Sequence, residues 1–169
     1  MIKESGMSAG RVPLKLLQPM IENGSLEEDD GLQDKWAALL ANAATKRDDV
    51  HPSFIEILKQ LSSIEAIFLD VLSERDRRRS VYQRQNEYVS TEFKQAEDVI
   101  IDRLMELTNE DRGTVHGRFR EMEITNNLLR LGIAQPPNRV EAWQLTDFGK
   151  AFVAACQSPK KKTDEKYSE

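Results

Sequence analysis

The sequence predicts a mainly α-helical protein in which an N-terminal helical hairpin or bundle packs on a C-terminal region carrying a small two-stranded β-hairpin. Three observations predict it. Apolar residues recur at intervals of three and four through most of the 169-residue chain, which places them on one stripe of a helix. Only 7% of the residues are aromatic and eight are glycine, while 31% are charged, the composition of helices with long solvated faces. The period changes to two only near the C-terminus, between Gly132 and Thr146, where prolines interrupt regular structure.

Residues 1–11 are short, polar and glycine-containing, and are expected to be disordered. A helical region is expected over residues 12–72. It opens on a brief helix with Pro13 in its first turn and Leu16, Leu17, Met20 and Ile21 on one side, kinked or divided at Pro19. Ser25 and Glu28 read as a capping box, and the acidic residues 27–30 sit where a helix dipole favours negative charge. In the helix that follows, Leu32, Trp36, Leu39, Leu40 and Ala43 share a stripe, and Ala37, Ala38, Ala41 and Ala44 are small enough to let another helix approach. Residues 45–50 close that helix, and His51-Pro52 starts the next, whose apolar face is Phe54, Ile55, Ile57, Leu58 and Leu61. Ser62 and Glu65 form a second capping box, which turns the chain into a third helix with Ile64, Ile67, Phe68, Val71 and Leu72 inward.

Residues 73–90 are rich in arginine, glutamine and glutamate and form a charged helix or connection between the two halves. A second region follows over residues 91–157. Phe93, Ala96, Ile100, Leu104 and Leu107 restore the helical period, and residues 108–111 read as a stop followed by a cap. The next helix carries Val115, Phe119, Met122, Leu128 and Leu129 and ends at Gly132. Ile133-Ala134-Gln135 is short and extended, residues 136–139 forbid regular structure, and Ala142-Trp143-Gln144-Leu145 alternates like a strand, so a hairpin is the economical solution. Thr146 caps a closing helix through Phe148, Phe152, Val153 and Cys156, which Pro159 ends, and residues 158–169 form a charged, disordered tail.

The composition excludes several classes. No apolar run approaches the roughly 18 residues of a membrane span, and residues 3–5 lead into no apolar signal segment. One cysteine, Cys156, forms no internal disulfide, which fits a reducing cytoplasm. A net charge of -5 argues against wholesale nucleic-acid binding, although local basic clusters remain. There is no Cys-x-x-Cys pair, glycine-rich phosphate loop or Gly-x-Ser-x-Gly elbow, and the acidic residues 27–30 lack the alternating ligands and glycine of a calcium loop. No metal and no cofactor are expected.

Two phrases carry a resemblance. LQDKWAALLANAATKRDDVHPSFIEILKQLSSIEA, residues 32–66, and NLLRLGIAQPPNRVEAWQLTDFGKAFVAAC, residues 127–156, together resemble the bacterial abortive infection alpha family of phage-defence proteins. The parts that carry it are Trp36-Ala37, Leu39-Leu40, His51-Pro52 with Phe54, and Ser62 with Glu65-Ala66. The order helix, Leu131-Gly132, strand, wing, strand, Leu145-Thr146 with Gly149, helix also resembles the end of a winged-helix domain. The first resemblance implies a setting in defence against phage and brings no catalytic residues with it. Family members are often longer at the N-terminus, so an activity housed there would lie outside this chain.

The candidate contact residues are basic. Arg75, Arg77, Arg78, Arg79 and Arg84 form one dense cluster, diluted by Glu74 and Asp76. In the winged-helix-like part, Thr114, His116, Arg118 and Arg120 belong to the helix that would enter a major groove and Arg139 to the wing, with Glu121, Glu123 and Glu141 opposing them. Many small helical phage-defence proteins that cut RNA use an arginine and a histidine about four to six residues apart on one helix face. Here three residues separate Arg47 from His51 and Arg112 from His116, closer than that arrangement, so His51 reads as a cap before Pro52 and His116 as an exposed helix residue. Trp36 and Trp143 fall on apolar stripes and read as core anchors. The expectation is a non-enzymatic cytoplasmic module that binds a protein partner or phage component, with duplex DNA binding as the alternative and a ribonuclease third.

Overall fold

The computed structural model describes residues 10–45, 50–84, 96–120, 124–136 and 143–158, and within these all side chains except those of residues 78–84, 96–99, 119 and 120. Of the ends expected to be disordered, residues 1–9 and 159–169 lie outside the described residues, as do the wing residue Arg139 and Arg47, Phe93, Met122 and Ala142, while Gly10 is described and donates its N–H to the Ala44 carbonyl at 2.7 Å. Eight helices and two strands are described: α1 (Leu14–Leu26), α2 (Asp30–Thr45), α3 (Ser53–Leu58), α4 (Ser63–Arg84), α5 (Ala96–Thr108), α6 (Arg112–Arg120), α7 (Thr125–Arg130), β1 (Ala134–Gln135), β2 (Gln144–Leu145) and α8 (Asp147–Ala155). The chain forms two compact units, one made of the residues up to Ile55 together with those from Ala155 onward, the other of Glu56–Ala154. The protein is mainly helical with one small antiparallel sheet, as its periodicity predicts.

In the first unit, α1 runs through Pro19 without dividing and buries Leu16 and Met20. Ile21, expected on the same side, is 53% exposed. The predicted cap at Ser25 is a correction. Helix α1 continues to Leu26, and Ser25 donates its hydroxyl to the carbonyl of Glu22 in that helix. Asp29 caps α2 instead, its Oδ1 accepting from the Leu32 N–H at 2.9 Å. On α2 the predicted stripe is buried at Leu32, Trp36, Leu39 and Ala43, with Leu40 half-buried. Trp36 packs where a Cβ on Gly24 would stand 3.1 Å from its own Cβ, so glycine lets α1 and α2 approach. The buried polar residue Asn42 donates to the carbonyls of Ala155 at 2.8 Å and Gln157 at 2.9 Å, tying α2 to the end of α8.

The second unit begins within α3, which buries Ile57 and Leu58, and turns at Leu61 into α4. The predicted box is formed: the Glu65 carboxylate accepts from the Ser62 N–H at 2.7 Å and hydroxyl at 2.8 Å, while Ser62 Oγ accepts from the Glu65 N–H at 3.4 Å. Helix α4 carries on for 22 residues, so residues 73–84 extend the apolar third helix as one rod of about 33 Å. Phe68, Leu69 and Leu72 are fully buried on its inner side, as are Ile100, Ile101 and Leu104 on α5. Leu107, expected inward, is 47% exposed. Helix α5 ends at Asn109, whose φ of 56° is left-handed, and Asp111 then caps α6 through the Thr114 N–H. Of the two leucines expected to be buried after α6, Leu128 is fully buried and Leu129 half-buried. Helix α7 closes with Gly132 at φ +69°, the N–H of Ile133 reaching the Leu128 carbonyl and that of Gly132 the Leu129 carbonyl, a paired closure that needs the left-handed residue. The sheet pairs Ala134 with Leu145 and Gln135 with Gln144. Phe152 and Val153 of α8 are buried, and Phe148 is 40% exposed rather than inward.

Candidate functional site

Chain direction around the strand pair is set by few atoms. Thr146 Oγ1 donates to the Gly132 carbonyl at 2.7 Å and accepts from the Gly149 N–H at 2.9 Å, so one hydroxyl joins the end of α7 to the start of α8. A Cβ on Gly149 would overlap the carbonyl oxygen of Ile133, which explains a glycine inside the first turn of a helix. Trp143 immediately precedes β2, with its ring 6.2 Å from that of Phe68, edge to face.

Arg75 reaches this site from α4. Its Nη2 donates to the Trp143 carbonyl, and it stands 3.7 Å from the Asp76 carboxylate. A residue expected to meet phosphate thus also holds the base of the sheet. Arg77 is exposed one residue beyond Asp76, while the side chains of Arg78, Arg79 and Arg84 fall outside the described residues.

On α6, Arg118 Nη1 donates to both carboxylate oxygens of Glu110, at 2.9 and 3.3 Å, and Arg112 donates to Asp102. Helix α5 adds Arg103 with Glu106 at 2.6 Å, where the hydrogen bond to Glu106 and then the charges of Glu106 and Glu74 hold the guanidinium more firmly protonated. His116 is half-buried on the same helix as Arg118. The Arg120 side chain and all of Arg139, two of the three basic residues expected to face DNA, lie outside the described residues. An anion arriving at Arg118 would compete with Glu110, which lowers the gain from each contact.

The first unit holds the remaining motif residues. His51 Nδ1 accepts from the Ser53 N–H at 3.2 Å and its ring stands 6.1 Å from Phe54, so it caps α3 with exposed Pro52 beside it. Phe54 and Trp36 are buried and Leu40 is half-buried. Among the described residues, no three His, Cys, Asp or Glu side chains group so as to hold a metal ion, and no helix is long and apolar enough to cross a membrane. The model of the abortive infection alpha family matches residues 7–156. The chain belongs to that family.

No protein of curated function and no solved structure matches this Abi-alpha chain. Several of the motif residues build turns and caps, namely Ser62 and Glu65, Gly132, Thr146 and Gly149, while Trp36, Leu39, Phe54 and Trp143 are core. Sequence reading missed Asn42. Its signal was present, since it stands three residues after Leu39 on the buried stripe, where a polar group must find partners. Its partners, 113 and 115 residues away, leave no local trace.

Proposed function

We propose that this abortive infection alpha chain is a non-catalytic cytoplasmic module that acts by binding a protein partner or a phage component. The observation that supports it most is how the candidate reactive and phosphate-binding side chains are engaged. His51 caps α3, Arg75 holds the Trp143 carbonyl, and Arg118 is paired with Glu110. Groups held in these ways build surfaces and turns, which is what a binding module asks of them.

The test is phage plating on cells expressing the chain or its His51→Ala/His116→Ala variant, with host RNA integrity followed through infection. Protection that survives the double substitution with RNA intact is the expected result. Protection lost in a variant that still folds, together with RNA cleavage that depends on either histidine, would establish the nuclease instead.

A second reading, a winged-helix contact with duplex DNA, draws on the succession of α7, the β1–β2 pair and α8, with Arg118, Arg120 and Arg139 supplying charge. Fluorescence anisotropy with labelled duplex DNA across a salt series separates it, because the slope of log affinity against log salt counts phosphate contacts. Weak, salt-insensitive signals favour the partner-binding module; a steep slope lost in Arg118→Ala/Arg120→Ala favours the DNA reading.

A further inference from the structure

The outer face of α1 carries its charges in an order that a lone helix disfavours. Leu16 and Met20 are buried, and on the opposite side Leu14 is 77% exposed and Ile21 53%. Exposed Gln18 and Ser25 complete a spacing of four, three and four that lines these residues into one seam. Lys15 and Glu22 are exposed along the same edge of that seam, each one position after an apolar seam residue. The cation therefore stands in the first turn and the anion close to the last, with no acidic side chain in the first turn and no basic one in the last. The helix dipole favours the reverse order.

Two such faces laid antiparallel remove the conflict. We propose that the outer face of α1 is a self-association surface on which a second copy of this chain docks antiparallel. A two-fold axis near Gln18 sets Lys15 of each copy beside Glu22 of the other, and Leu14 of each near Ile21 of the other, with opposed dipoles. Leu26, 75% exposed and one turn beyond Glu22 on that edge, extends the apolar area where the second copy's first turn arrives. Parallel pairing would gather both lysines at one end and both glutamates at the other. One face of a 13-residue helix is smaller than the roughly 800 Å² per partner of a standard interface, so the dimer is weak and concentration-dependent.

Sedimentation equilibrium of the whole chain at low salt, over a wide concentration range, tests this. The expected mass rises from one chain toward two, and Leu14→Lys/Ile21→Lys stays monomeric with an unchanged circular dichroism spectrum, since both positions are exposed. Lys15→Glu alone weakens the dimer about tenfold, because two exposed ion pairs become two repulsions. Adding Glu22→Lys restores the affinity, a rescue that antiparallel contact requires. A monomer at every concentration, a dimer indifferent to Leu14→Lys/Ile21→Lys, or a double charge swap no better than the single one would each overturn the proposal.

Discussion

Gly149 and Gly132 need glycine for different reasons, and substitution separates them. At Gly132 the cost is conformational: alanine would have to hold φ at +69° with open space around its Cβ, which takes about 1–2 kcal/mol. At Gly149 the cost is steric. The Cβ of alanine meets the Ile133 carbonyl, so α8 or β1 must move, and Gly149→Ala is expected to lower the unfolding free energy by about 3 kcal/mol in urea titration. Equal effects at the two positions would mean that the contact with Ile133 relaxes freely. Thr125 offers the opposite sign. Its Oγ1 is buried and makes no hydrogen bond among the described residues, so Thr125→Val should leave stability unchanged or raise it by about 1 kcal/mol in the same titration. Gly132 and the Ser62–Glu65 box were legible because their partners lie within a few residues. The close approach behind Gly149 was not, since it involves a carbonyl 16 residues earlier.

Helix boundaries show where local pattern stops being decisive. Ser25 and Asp29 are both cap-type residues, and which one starts α2 depends on how far α1 runs, a length supported by the packing of Gly24 on Trp36. At α6 there is no such competition. Asp111 caps it, and the Thr114 hydroxyl, followed by the Thr114 N–H, holds the Asp111 carboxyl below its ordinary value. A carboxyl depressed in the folded state stabilises it above the unfolded value and loses that contribution as pH falls through the folded one. Thr114→Val should therefore raise the Asp111 pKa and bring the acid-side loss of the cap to higher pH, as a carbon-detected NMR titration would show. Helix α4 makes a matching case for basic residues. Composition alone suggested that Arg75 lies in a charged helix or connection and belongs to a basic cluster, whereas it is half-buried on α4 and bonds the Trp143 carbonyl. Arg75→Ala should cost about 1.5–3 kcal/mol in thermal or urea unfolding. A loss of affinity for DNA without that loss of stability would point back to phosphate contact.

At the scale of the whole molecule, the fold class and the family were legible because helical periodicity and the motif phrases are spread along nearly the whole matched length, residues 7–156. How distant segments meet was not. Asn42 shows why: the sequence marks a polar residue on a buried stripe but cannot name the carbonyls of Ala155 and Gln157 as its partners. Replacing it with leucine leaves both carbonyls without that donor, and Asn42→Leu should lower stability by about 1–3 kcal/mol in calorimetry. A smaller effect would show that water or backbone adjustment replaces the clamp. The same arrangement bears on how the protein is made. The unit that contains α2 is joined by residues that follow the Glu56–Ala154 unit in the sequence, so on the ribosome the Asn42 clamp has to wait until Ala155 and Gln157 have been made, whereas the Glu56–Ala154 unit is synthesised without interruption. Translation order therefore favours the Glu56–Ala154 unit as the first to mature, and until Ala155 and Gln157 emerge the α2 side that carries Asn42 is an unfinished surface.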